Sequence, residues 1–510
     1  MKIGEPSLTI DDVEAVASRA QHVEVSPQAR EQLDRSYRFL QLLVERNVPI
    51  YGLSTGCGPL AAFPIVAGQR EAFQRNLVRS HATGLGEPHT SESVRAAMLL
   101  RAHVLALGFS GVDPALVDLI VRLLNSGIHP VVRQIGSVGA SGDLVELAQI
   151  ALVLFGEGQV HTSSQGPHDA RVALAAAGLT PLTPRFREGL ALMNGTCFHS
   201  AMAALLVARV ERLVSAAHIA AAMSLEALRA HPEGLDESLH RLRGQSGQQL
   251  VAARLRMLVR DSQLLRRRES VADRQDAYTV RCVPQIVGPV VDTLHEVRRI
   301  VENEINAATD NPLFIVEEQR VVHGGNFHGQ PVALALDHLK TAVIELGVIC
   351  ERRIARLLDS NLSGGLPPFL IDGGSAHAGL RSGFMGLQYC ANTLAADNAV
   401  LAAPSSVRSI PTNANNQDVV SMGVLAARHA GQVTTNVEQL VAIELLCSAQ
   451  ALELRGGKAG SASRRAVDAI RKRVAALTED RPLTNDVEAA CQLIRSGALV
   501  EEVDKVAGRQ

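Results

Sequence analysis

The 510-residue chain is long enough for a large core, and its 50 basic against 52 acidic side chains leave a net charge near −2, which argues against a polyanion-binding protein. The absence of tryptophan and the scarcity of other aromatic residues argue against a base-stacking, nucleic-acid-binding surface. Seven cysteines, an odd number without any Cys-x-x-Cys spacing, suit reduced thiols in a cytoplasm rather than a disulfide framework or a metal site.

The first thirty residues hold no apolar signal core, and Thr9 with Asp12 spells a capping box that opens a helix through Ala20. Gly, Pro and Ser cluster between Tyr51 and Gly68 and again from Pro130 to Gly142, so both stretches are expected to be loops. Loops held by a rigid scaffold commonly carry chemistry. The segment from Ala201 to Arg229 is rich in alanine and free of Gly and Pro, which predicts one long helix. The longest apolar stretch, Leu213 to Leu225, contains His218 and is too short to span a bilayer, so no membrane association is expected. The basic run Arg266-Arg267-Arg268 reads as a solvated helix end or loop.

Val332, Leu336, Leu339, Val343, Leu346, Cys350, Ile354 and Leu357 recur at steps of three and four, one stripe of a long helix. A second long helix is predicted between Val419 and Arg455. The fold class is therefore mainly α, a long-helix bundle. Residues 1–200 form an N-terminal, loop-rich region, and residues 201–510 carry the long helices and the C-terminal helices.

The loop Gly136-Ser137-Val138-Gly139-Ala140-Ser141-Gly142-Asp143-Leu144 is the most informative stretch. Ala140-Ser141-Gly142 can cyclise on itself: the Gly142 amide nitrogen attacks the Ala140 carbonyl carbon, and one water leaves. A second water leaves from Ser141, and an exocyclic methylene remains. The product, a 4-methylidene-imidazol-5-one, is an electron-poor alkene, a kind of group that side chains do not supply. Glycine gives an unhindered nitrogen and tolerates the bend. The plainer reading is a polar turn before a helix starting near Leu144, with Ser141 or Asp143 as its N-cap.

Companion motifs decide between the two. They run from Tyr51-Gly52-Leu53-Ser54-Thr55-Gly56 through Asn76-Leu77-Val78-Arg79-Ser80-His81-Ala82 and Leu192-Met193-Asn194-Gly195-Thr196. Then follow Gln275-Asp276-Ala277-Tyr278-Thr279-Val280-Arg281-Cys282, Asp310-Asn311-Pro312-Leu313 and Gly324-Gly325-Asn326-Phe327-His328-Gly329-Gln330. Leu366-Pro367-Pro368-Phe369-Leu370 and Asn416-Gln417-Asp418-Val419-Val420-Ser421-Met422 complete the set. In these motifs the chain resembles the aromatic amino acid ammonia-lyases and aminomutases, from Leu8 to about Arg455. That resemblance implies the methylidene-imidazolone cofactor, with no metal or nucleotide. It also implies a homotetramer whose central helical bundle is pooled from all subunits, with active sites shared between them.

The resemblance also assigns roles. Tyr51, on a mobile lid loop, matches the base that removes the substrate β-proton, and its phenol must be brought below its usual pKa to act near neutrality. Arg281, with its planar fork, matches the carboxylate anchor, helped by Asn194. Tyr278 is expected to hydrogen-bond the cofactor or the substrate amine, and Phe327 to pack beside the ring. Asn326, Gln275 and Gln330 are expected as supporting polar groups.

Substrate choice is less clear. Ser80-His81 matches the histidine lyases, yet Asn416-Gln417-Asp418 stands where those enzymes carry a glutamate, and a neutral Gln417 loses a charge-assisted bond of roughly 1.5–3 kcal/mol. Gln388-Tyr389 resembles tyrosine aminomutases, and His81 with Tyr389 could hold a phenol. L-tyrosine, giving p-coumarate, is therefore preferred over L-histidine, giving urocanate; an aromatic 2,3-aminomutase uses the same residues. Val145-Glu146 replaces the family's Ala-Pro after the tripeptide. The Glu146 charge is expected to be tolerated at a helix N-terminus. Cys57 replaces an aromatic in the lid motif, and Cys197-Phe198 stand where smaller residues are usual.

Overall fold

The computed structural model describes residues 1–19, 21–162, 165–266 and 275–508. Ala20, Arg267 and Arg268 lie outside the described residues. The chain is mainly α-helical, as the apolar stripes predict. The striped helix spans Gln330–Leu358, and all eight stripe residues from Val332 to Leu357 are buried. The alanine-rich helix spans Cys197–Ala227, and the predicted second long helix spans Gly423–Arg455. Small side chains bring neighbouring helices close, and burial of these stripes is the main term holding the helices in place.

At the N-terminus the capping box forms as predicted. The Thr9 amide donates to Asp12 (3.0 Å), the Asp12 amide donates to Thr9 Oγ1 (3.1 Å), and the helix runs Ile10–Arg19. None of the seven cysteines is paired. Among the described residues no helix is long and apolar enough to cross a membrane, and no cluster of His, Cys, Asp and Glu could hold a metal ion.

The chain divides into two compact units. The first comprises Met1–Ala208, Val297–Asp337 and Pro404–Arg428; the second comprises Arg209–Glu296, His338–Ala403 and His429–Gln510. Within the second, a buried ion pair joins Arg353 to Glu444 (2.9 Å), and Ser224 donates to the same carboxylate (2.7 Å). Within the first, short antiparallel strands Leu85–Pro88 and Arg133–Ile135 pair and lead directly into the loop that carries Ala140-Ser141-Gly142. The first unit also buries an ion pair, Arg187 with Asp310 (2.9 Å), both fully enclosed. Removing one partner of such a pair leaves an uncompensated buried charge, so each holds its surroundings in register.

Candidate active site

A cavity of about 900 Å³ opens in the first unit. Of the residues singled out from sequence, Tyr51, His81, Ala140, Ser141, Asn194, Phe327 and Gln417 all line it. They come from three distant stretches of chain, and local sequence explains how each is held.

Tyr51 sits on a loop clamped at Gly52. Gln74 donates from Nε2 to the Gly52 carbonyl (2.8 Å) and accepts from the Leu190 amide (3.0 Å). Gly52 has φ 70, and a Cβ there would lie 2.3 Å from Leu190 Cδ2, so only glycine fits. The Gly58 amide donates to Tyr51 Oη (2.7 Å). Burial nonetheless holds the phenol above its usual pKa, outweighing the Gly58 bond that pulls it down. This corrects the expectation of a depressed value. The Cys57 thiol, also lining the cavity, is pushed up to about 11 by burial, so it stays a neutral thiol.

The tripeptide is sharply curled. Ser141 and Gly142 have φ 50 and 82, two successive left-handed residues. A Cβ on Gly142 would lie 1.9 Å from the Gly195 carbonyl oxygen. The two strands bridge: Gly195 donates to the Ser141 carbonyl (3.1 Å), and Asp143 donates to the Gly195 carbonyl (2.9 Å). Ala140 is buried against Val420 and Met422. Gln417 donates from Nε2 to Ser141 Oγ (3.1 Å).

Asp143 does occupy the N-cap position of the helix Leu144–Leu154, but its side chain makes no capping bond there. Its carboxylate instead accepts from the amides of Phe198 and His199 (2.9 Å each) at the start of the helix Cys197–Ala227. Glu146, in the first turn, is fully buried. One carboxyl oxygen accepts from the Ser137 amide (3.3 Å), and the other has no hydrogen-bond partner. Burial, reinforced by Asp143, pushes its pKa up to about 8, so the group is mostly uncharged near neutrality. This corrects the expectation of a tolerated charge at a helix end.

A stability prediction follows. Because the folded pKa lies above the ordinary 4.5, Glu146 costs nothing below that value and progressively destabilises the fold as pH rises toward and through about 8. The cost at alkaline pH is on the order of 5 kcal/mol. Melting of a Glu146→Gln protein should therefore exceed that of the parent at pH 9 and match it at pH 4, measured by circular dichroism. Equal melting points at both pH values would refute the assignment.

The His81 Nδ1–H donates to the Leu77 carbonyl (2.8 Å), which leaves Nε2 as an acceptor. Asn194 commits both amide hydrogens, to Asp310 Oδ1 (2.9 Å) and to the Asn311 carbonyl (3.0 Å). Only its oxygen, an acceptor, is left, and an acceptor cannot anchor a carboxylate. This corrects the expected role of Asn194.

The other predicted residues lie elsewhere. Asn326 donates to the Ala308 carbonyl (3.4 Å) and Gln330 to the Ser406 carbonyl (3.2 Å); neither lines the cavity. Tyr278, Arg281 and Gln275 belong to the second unit. There the Arg281 guanidinium sits 5.0 Å over the Tyr278 ring, and Arg281 and Gln275 line a smaller cavity with His231 and Gln285. Tyr389, on the helix Met385–Leu401 of the same unit, is 63 % exposed. Tyr389 is not among the residues that line the cavity holding His81.

Sequence reading passes over His199. Its ring is fully buried and its Nδ1 lies 2.8 Å from Asp143. A single histidine near the start of an apolar helix carries no periodic signal that would single it out.

Comparison with known proteins places this geometry. Residues 8–472 match the family described as aromatic amino acid lyase. A histidine ammonia-lyase of Symbiobacterium thermophilum is 46 % identical over 502 residues, covering 98 % of each chain. A tyrosine ammonia-lyase of Cupriavidus metallidurans is 42 % identical, covering 97 % of this chain and 96 % of its own. The crystal structure of a tyrosine aminomutase from Streptomyces globisporus superposes with a TM-score of 0.94 at 35 % identity, over the full length of both chains.

Proposed function

This chain belongs to the aromatic amino acid lyase family and is a carbon–nitrogen lyase, an ammonia-lyase for an aromatic amino acid; from that premise we propose that its substrate is L-histidine, converted to urocanate and ammonia. The observation that carries the choice is that His81 and Gln417 line the same cavity. A neutral imidazole has one N–H and one bare nitrogen. The His81 Nε2 can accept from the first, and the Gln417 amide can donate to the second. The 46 % identical histidine ammonia-lyase supports the same choice. The tyrosine alternative has less support, its ammonia-lyase relative being 42 % identical.

The residues suit a self-formed methylidene-imidazolone. Glycine stands where any side chain would collide with Gly195, and the curled Ser141-Gly142 backbone suits closure of a small ring. Ala140, Ser141 and Gly142 would form it, and Gly195, Asp143 and Gln417 would hold it. That group supplies an electrophile that makes the substrate nitrogen a better leaving group. Tyr51 removes the β-proton at its Oη. Phe327 and Leu190 line the cavity and keep water from the reacting face. The family resemblance implies a homotetramer with shared sites, and Arg281 and Tyr278 act on the substrate carboxylate and amine within that assembly.

Ultraviolet assay of purified protein with L-histidine, L-tyrosine and L-phenylalanine, each against a Ser141→Ala control, tests the choice. A urocanate band with histidine alone is expected; a p-coumarate band with tyrosine instead would overturn it. The tyrosine reading has one observation in its favour, the neutral Gln417, and a phenol could use the same two partners. Gln417→Glu separates the readings. It should raise kcat/KM for histidine by about tenfold, one charge-assisted bond's worth, and lower any activity on tyrosine. A lower value on histidine would count against imidazole binding in this cavity. Chromatography of the products for β-amino acids tests the aminomutase alternative.

A further inference from the structure

We propose that His199 is a positioning residue for cofactor formation, holding Asp143 so that Gly142 stays pinned against Gly195 while the ring closes. This rests on the reading of Ala140-Ser141-Gly142 as a self-cyclising tripeptide.

Three observations carry it. His199 Nδ1 lies 2.8 and 3.0 Å from the two oxygens of Asp143, the residue that follows the tripeptide. A carboxylate only accepts, so Nδ1 bears the proton. Asp143 is thereby tied from three sides: by His199, by two amides at the start of the helix Cys197–Ala227, and through its own amide to Gly195.

The second observation is the space made for the ring. A Cβ on Gly329 would lie 2.2 Å from His199 Cε1 and 2.4 Å from Nε2; one on Gly423 would lie 2.8 Å from Cγ. Neither glycine has a left-handed φ, so both are there for room rather than for backbone freedom. Gly329 ends the loop of Phe327, and Gly423 follows the loop of Gln417. The imidazole is thus the point where three segments of the site meet.

Third, Nε2 is buried without a hydrogen-bond partner. An unpaired buried nitrogen is disfavoured where a leucine of similar size would cost nothing. The bond from Nδ1 to Asp143 is what a histidine offers here that a leucine cannot.

The step it supports is a double dehydration. A bond forms between Gly142 N and Ala140 C. The Ala140 oxygen leaves as water with the hydrogens of the Gly142 and Ser141 amides, and a C=N bond forms to Ser141 N. Ser141 then loses its Cα hydrogen and its hydroxyl as the second water. No oxidant or reductant is needed.

Intact-protein mass spectrometry reads this directly, without substrate. The parent should be two waters lighter than its sequence. His199→Leu should leave most chains at full mass while keeping the parent's circular dichroism and elution volume. His199→Asn, whose side-chain amide places an N–H close to the position of Nδ1, should restore dehydration. His199→Gln, which places its amide further out, should not. A folded, fully dehydrated His199→Leu protein overturns the proposal. If the leucine variant does not fold, equal dehydration of the Asn and Gln variants overturns it instead. A parent at full sequence mass would refute the cofactor reading, and this proposal with it.

Discussion

A Ser141→Ala protein should fold as the parent does and release ammonia at a rate lower by roughly a thousandfold or more. The fold is expected to survive because the Ser141 hydroxyl's one hydrogen bond is with Gln417, and alanine keeps the Cβ. The activity is not, because without a hydroxyl to leave as water the Ser141 Cβ cannot become the exocyclic methylene. Without it the amine departs as an unactivated group, and the remaining binding and base catalysis cannot replace an electrophile. Two measurements check this on the same sample: product absorbance, and intact mass, which should lack the second dehydration. Activity within tenfold of the parent would mean that the tripeptide is a turn and nothing more.

Tyr51→Phe should lower kcat by about a hundredfold to ten-thousandfold, the usual range for a lost acid–base group, with little effect on KM. The same substitution should change the pH profile. Burial holds the phenol above its ordinary value, and with the phenolate as the proposed base kcat/KM of the parent should climb with pH from neutrality into the alkaline range. The profile of the variant should be flat over that interval. A parent profile that falls through the same interval, or a variant that climbs like the parent, would remove Tyr51 from the role of base. Gly58, which donates to Oη and stabilises the phenolate, is the contact through which the loop tunes this group.

Much of the fold was legible because helix periodicity is a local property. The stripe from Val332 to Leu357 and the alanine-rich run beginning at Ala201 each specify a helix whatever surrounds them, and both form. Ala140, Ser141, Tyr51, His81, Phe327 and Gln417 were legible because motifs fix residue identity, and the structure brings these onto one cavity. What local reading could not provide was the protonation behaviour. The pKa directions of Tyr51 and Glu146 depend on how deeply each is buried, and burial is set by residues far away in sequence. Asn194 was misjudged for a related reason: Asp310 and Asn311, more than a hundred positions on, use up its donors. His199 escaped notice because its meaning lies in two glycines on other segments.

The interleaving of the first unit has a consequence for biosynthesis. The parts that bend the tripeptide arrive at very different times: Asp143 and Gly195 early, Phe327 and Gly329 later, and Gln417 and Gly423 last, in the segment Pro404–Arg428. A ribosome must therefore finish most of the chain before the scaffold around residues 140–142 can be complete. Long-range closure of this kind is slow compared with local helix formation. With the tripeptide cyclising as proposed, newly made chains will thus pass through a stage that is helical but chemically immature, and maturation will be timed by the last segment to emerge rather than by the segment that reacts.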